Sequence, residues 1–200
     1  MVVMNFRGFS SFHWSLLGFV LLLILLHLLP DSLHTVLEYH RAEPTQIWRA
    51  FTGHLLHSNN WHLLMNLGAL VLILMLHQLY YRLNSFLLLL LCGCVGISVL
   101  LYWCSPDIKI YVGLSGWLHC LITVGALLDI KHKMQSGWLI LLGVVAKVLY
   151  EQWQGPDADL ASLIQANVAI DAHLYGVICG LLLGFVFLLS AKPAESQVQP

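Results

Sequence analysis

The stretch 61-WHLLMNLGALVLILMLHQLY-80 contains no charged side chain, and its reading decides the fold. Twenty residues in a helix reach about 30 Å, the thickness of the hydrocarbon layer of a bilayer. Its backbone must then satisfy its own hydrogen bonds, which only a helix or a closed barrel does in lipid. Two polar residues, His62 and Asn66, lie at its start, four apart and so on one helix face. They are either packing residues bonded to neighbouring helices or members of a site.

The rest of the chain repeats this pattern. Of 200 residues 59% are hydrophobic and only 10% charged, and the mean hydropathy is +0.81. A soluble domain carries about a quarter charged residues, so this composition defines an integral membrane protein. Six runs are long enough to span, near 12–29, 61–80, 85–104, 113–130, 137–153 and 171–190. The first follows Arg7 but is closed by Pro30-Asp31-Ser32 rather than a small-residue cleavage site, which predicts a retained helix and not a signal peptide. The expected organisation is a cytoplasmic N-terminus at 1–11, one six-helix domain at 12–190 and a polar, disordered cytoplasmic tail at 191–200. A formal charge of −1, with no basic run or aromatic platform, excludes nucleic acid as a partner.

Lys and Arg placement predicts the orientation. With both termini cytoplasmic, Arg7, Arg82, Lys131, Lys133 and Lys192 fall inside, against Arg41, Arg49 and Lys109 outside. Even-numbered spans then begin at one depth, just below the outer surface. The polar residues in their first turns are His62 and Asn66, Ser115, and Asp171 and His173. Polar groups inside a membrane are costly and tend to face the bundle interior or a water-filled cavity. Asp171 and His173, two apart, point to different faces.

Each element also has a plainer reading. Ser115, in 113-GLSG-116, could simply bond a carbonyl one turn back. Gly176, Gly180 and Gly184 form a small-xxx-small stripe after His173, a device for close helix approach. That approach would also bring His173 within reach of Ser115.

Taken together, 48-WRAFTGHLLHSNNWHLLMN-66, 113-GLSG-116 and 172-AHLYGVICG-180 resemble the rhomboid intramembrane serine proteases over about residues 45–190. The resemblance implies Ser115 as nucleophile and His173 as general base, a dyad that needs no cofactor. His62, Asn66 and the backbone N–H of Ser115 would stabilise the oxyanion, while Gly113 and Gly116 support the site. Many rhomboids carry a tyrosine four residues after the serine, packed on the catalytic histidine; here that position is His119. The pattern G-L-S-G-x-L-H and the short chain look like the rhombosortase branch, implicated in cutting GlyGly-type C-terminal anchors from exported proteins. That implies the bacterial inner membrane, a site opening to the periplasm, and single-pass substrates with a Gly-rich anchor. Lipids would be the other partners.

Three further expectations concern single features. His119 either supports His173 or substrate, or is itself the base. Cys104 and Cys120 are a candidate disulfide, the former at the outer end of the third span. The loop 154-QGPDADLASLIQANVAI-170 is expected to act as a lid, its Asp157 and Asp159 either attracting basic substrate residues or simply solvated. The competing functions are a general rhomboid protease, an inactive rhomboid-like helix binder, and a histidine-rich haem or metal protein. The 11 histidines invite the last, but neither H-E-x-x-H nor Cys-paired zinc spacing is present, so no metal ligands are assigned.

Overall fold

The computed structural model describes residues 11–190. The expected N-terminal segment and tail therefore lie, apart from Ser11, outside the described residues. Helix α1 (Ser11–His27) is followed after Pro30 by the short α2 (Asp31–Leu37), and the chain turns by 118° between them. Proline cannot donate the hydrogen bond that would continue α1, so the turn falls where its ring stands. A two-residue strand β1 (Tyr39–His40) comes next, then the helical turn α3 (Arg49–Thr52) and a 3-10 turn at Gly53–Leu55. The long helices α4 (Asn60–His77), α5 (Leu83–Cys104), α6 (Ser115–Lys131), α7 (Gln135–Gln154) and α9 (Ile170–Ser190) follow. Strand β2 (Ile110–Tyr111) precedes α6, and α8 (Ala158–Ile164) lies between α7 and α9.

Each of the six apolar runs thus forms a helix within a few residues of its expected bounds. Three of them, at Asn60–Tyr80, Leu83–Cys104 and Ile170–Leu189, are long and apolar enough to cross a membrane, and α1 with α2 makes up to four. The remaining two have reasons to be less apolar. Helix α6 is the hub of the bundle, packed on α4, α5, α7 and α9, so most of its surface meets protein rather than lipid. Helix α7 carries the i,i+4 ion pair of Lys147 and Glu151, 2.7 Å apart.

Small residues set the closest approach, between α6 and α9. A Cβ at Gly176 would run into the carbonyl oxygen of Gly116, and one at Gly180 would lie 2.7 Å from the Thr123 Cβ. Without a hydrophobic driving force between helices in lipid, such backbone contact is what holds them. On another face of α6, Trp117 is fully buried. Its Nε1–H donates to the Leu89 carbonyl at 3.0 Å, and its ring meets Phe86 edge to face at 5.4 Å.

The first loop is folded around its Trp-Arg pair. Buried Arg49 donates to the carbonyls of Thr35 and Glu38, each at 2.7 Å, and to Gln46 Oε1 at 2.7 Å. Trp48 Nε1–H donates to the Val36 carbonyl at 3.1 Å. Antiparallel pairing of β1 with β2 sets Tyr39 opposite Tyr111, tying this loop to the segment that leads into α6.

Cys104 and Cys120, candidates for a disulfide, are both free thiols. The reason is axial separation. Cys120 faces Gly93 of α5, its sulfur 3.3 Å from where a Cβ there would stand. Eleven residues at 1.5 Å rise put Cys104 about 16 Å further along α5, beyond the reach of a disulfide.

Candidate active site

Ser115 is the first residue of α6, preceded by Leu114 and by Gly113 at φ +129°. Helix first turns leave N–H groups without an intrahelical acceptor, and the dipole there favours negative charge. The positive φ of Gly113 turns the chain into the helix, and the lack of a side chain has a second use. A Cβ on Gly113 would stand 2.7 Å from His62 Nε2, so the glycine opens the space this imidazole occupies. The segment is fixed from behind as well. Gly113 N–H donates to the Gly53 carbonyl at 3.2 Å, and buried Tyr111 donates its hydroxyl proton to the Gly113 carbonyl at 2.6 Å.

From α9, His173 brings Nε2 to 3.0 Å from Ser115 Oγ. The pair is separated by 58 residues in sequence and joined by the glycine contact between α6 and α9. His173 is buried at 6% exposure. Its other nitrogen, Nδ1, lies 3.0 Å from Glu151 Oε2 and 3.2 Å from Oε1. Lys147, one turn earlier on α7, donates to Glu151 Oε1 at 2.7 Å. Asp171 turns elsewhere, accepting from the Ser105 hydroxyl and from Gln152 at 3.4 Å.

His119 lies one turn after Ser115 and donates from Nδ1–H to the Ser115 carbonyl at 2.8 Å. Its ring is stacked on His173, centroids 4.3 Å apart and 19° from parallel. On α4, buried His62 comes against Gly113, and buried Asn66 lies one turn further along the same helix. The N–H and hydroxyl of Ser58 lie 3.4 and 3.0 Å from His62 Nδ1, leaving Nε2 on the side of Gly113. Asn66 uses one amide N–H on the His62 carbonyl at 2.9 Å, and the amide group has a second to give.

The loop after α7 reaches over to this helix start. Ser58 donates its hydroxyl to the Ile164 carbonyl at 2.6 Å, and Asn59 donates to the Leu163 carbonyl at 2.9 Å. Asp157 caps α8, accepting from Leu160 N–H at 2.8 Å. Two more histidines pack outside the spanning segments. His54 Nε2 is 2.9 Å from Ser98 Oγ, and His57 meets His62 edge to face at 5.1 Å. Burial holds each imidazole neutral, its pKa pushed down to about 3.

The structure therefore brings together Ser115, His173, His119 and, against Gly113, His62, from three separate stretches of sequence. Glu151 lies outside the first turns of the even-numbered runs, where the sequence reading expects the site residues. The expected topology puts the last turns of the odd-numbered runs at the same level, and a carboxylate in the last turn of the run at 137–153 is the available signal. Ser58 and Tyr111 carried none, since their contacts depend on loop folding.

One group of donors here has metal-ligand chemistry. Nitrogens of His119 and His173 and a carboxylate oxygen of Glu151 lie within 4.8 Å of one another. Imidazole lone pairs lie in the ring plane, and the two planes are nearly parallel, so the lone pairs do not converge on one point. His119 Nδ1 and His173 Nδ1 also already have partners. The arrangement suits a hydrogen-bonded chain better than a coordination shell.

The Ser115 hydroxyl, the His173 imidazole in contact with it and the start of α6 thus lie together between apolar helices. A family profile described as "Rhomboid domain" matches residues 44–190, and the chain belongs to the rhomboid family. Members of that family are intramembrane serine proteases that act on transmembrane substrates, and this chain is a multi-pass membrane protein. No curated protein matches the chain.

Proposed function

We propose that this chain is an active intramembrane endopeptidase in which Ser115 is the nucleophile and His173 the general base. The observation that carries the reading is the 3.0 Å separation of Ser115 Oγ and His173 Nε2, within hydrogen-bond reach of a proton to be abstracted. Serine is a weak nucleophile until an adjacent base takes its proton. Ser115 Oγ attacks the scissile carbonyl carbon while its proton passes to Nε2. The oxyanion forms beside the first turn of α6, where the Ser115 N–H and the second Asn66 N–H are its donors. His62 adds a donor as the Nε2–H tautomer, in which Nδ1 accepts from the Ser58 backbone N–H. One such donor is worth about 3 kcal/mol of barrier. His173 then protonates the leaving amine, and water or another nucleophile releases the acyl group.

The proposed substrates are exported proteins with a C-terminal membrane anchor preceded by a Gly-rich segment, as in the rhombosortase branch. A helix hides its carbonyls in hydrogen bonds, so the substrate must unwind before attack. Glycine lowers that cost by about 1 kcal/mol per residue relative to alanine. The reading includes six spans with both termini cytoplasmic, in a bacterial inner membrane, with the site open to the periplasm and lid residues 154–170 above it. Co-expression of wild type or Ser115→Ala with a Gly-Gly-tailed export substrate tests the reading. Loss of processing in the variant is expected, and unchanged processing would sink the protease assignment. Cleavage of other transmembrane proteins but not the Gly-Gly tail would move it to general rhomboid specificity.

A further inference from the structure

The chemistry above uses Nε2 of His173 and leaves its other nitrogen unexplained. Nδ1 faces both oxygens of Glu151, at 3.0 and 3.2 Å. This carboxylate is not a surface group that happens to pass nearby. Its side chain is only 17% exposed, against 49% for Lys147. The two oxygens are also divided in role: Lys147 donates to Oε1 at 2.7 Å, while Oε2 is the nearer one to Nδ1. An i,i+4 lysine thus holds Oε1 and leaves Oε2 turned toward His173.

From this we infer that Glu151 is the positioning carboxylate of a Ser115–His173–Glu151 chain, so that the site works as a triad rather than a dyad. The proposal rests on Ser115 and His173 being nucleophile and base. A carboxylate at Nδ1 holds the proton on that nitrogen and so leaves the Nε2 lone pair for Ser115 Oγ–H. When Nε2 takes that proton, His173 becomes an imidazolium, and the adjacent anion stabilises it without itself becoming protonated. The charged groups around the imidazole divide by helix. Glu151 and Lys147 come from α7, His119 stacks from α6, His62 approaches from α4, and Asp171 on its own helix is engaged by Ser105 and Gln152. Among the described residues, only Glu151 reaches Nδ1. Helix α7, which contributes nothing to the dyad, thereby gains a part in the reaction.

The test compares Glu151→Gln, Glu151→Asp, Lys147→Met and Ser115→Ala in full-length protein in detergent, with a quenched transmembrane peptide substrate. Glutamine keeps the size and loses the charge. Its kcat is expected to fall on the order of tenfold to a hundredfold, short of the ~10⁴ lost with a fully buried orienting aspartate. KM should not move, and labelling of Ser115 by a fluorophosphonate should slow in parallel. Aspartate should restore part of the rate, and Lys147→Met should change kcat less than Glu151→Gln does. A wild-type kcat in Glu151→Gln, or equal rates for the Gln and Asp variants at equal thermal stability, would overturn the positioning role. Loss of rate through misfolding would appear as a lowered melting temperature shared by Lys147→Met, and that pattern too counts against it. Full activity in Ser115→Ala instead removes the underlying reading, independently of Glu151.

Discussion

The His119 ring lies face to face on that of His173, 4.3 Å away and 19° from parallel, while its Nδ1–H donates back to the Ser115 carbonyl. One side chain thus touches both partners of the proposed dyad without replacing either. Its donated bond occupies Nδ1, and the ring face, not a nitrogen, meets His173. The geometry favours support of His173 over service as the base.

The stack leads to the first prediction. His119→Tyr keeps a flat ring in contact with His173, as the corresponding tyrosine of many rhomboids does, and should keep most of the activity. His119→Ala leaves the imidazole free to tilt, and a loss of about tenfold in kcat is expected, since misplacement by about 1 Å can cost up to a hundredfold. Peptide cleavage rates for both variants and His173→Ala decide the matter. Full activity in His173→Ala with loss in His119→Ala would reverse the assignment.

Gly113 resists substitution on two counts. Its φ of +129° strains any L side chain, and a Cβ would press on His62 Nε2 at 2.7 Å. Gly113→Ala should therefore lower stability by about 1–3 kcal/mol and displace His62 from the site. Thermal unfolding in detergent and fluorophosphonate labelling of Ser115 measure the two effects separately. Wild-type values for both would show that the turn into α6 adapts.

Two helical glycines should respond oppositely. A Cβ at Gly176 meets the Gly116 carbonyl, backbone that cannot swing aside, whereas one at Gly143 meets nothing within 4 Å. Gly176→Ala should force α9 from α6, lowering the melting temperature and separating His173 from Ser115. Gly143→Ala should be neutral or stabilising by up to about 1 kcal/mol, the usual helix preference for alanine. Melting temperatures and cleavage rates of the pair test the contrast.

Acid should weaken the fold through His54 and His57. Both have pKa values near 3 in the folded protein, against 6.5 for a free imidazole. The unfolded chain therefore binds more protons between these values. Their stabilisation is complete above about pH 6.5 and declines as pH falls toward 3, by up to about 2 kcal/mol per residue at pH 5. Denaturant unfolding at pH 7 and pH 5 should show that loss, reduced in His54→Asn. An unchanged pH dependence in the variant would exonerate His54.

Much of this was legible in the sequence for one physical reason: lipid imposes a local rule. A spanning helix must be long, apolar and self-bonded, so each helix could be read from its own residues. The few polar residues inside such runs were conspicuous, and Ser115, His173, His62 and Asn66 stood out at once. Glycine spacing in 176–184 even indicated which helix would approach α6 closely.

What the sequence left open depends on how helices are rotated and offset against one another. Whether Nε2 of His173 meets Ser115, and what meets Nδ1, is decided by that rotation. So is the face His119 presents, and so is the separation of Cys104 from Cys120 along α5. The loops follow the same logic, since Arg49 bonds carbonyls up to 14 residues away and Ser58 bonds one 106 residues away. The sequence by itself determined the membrane class, the helices and the candidate reactive side chains. Only the tertiary structure placed the Glu151 carboxylate against His173, because that contact joins two helices whose patterns say nothing of each other.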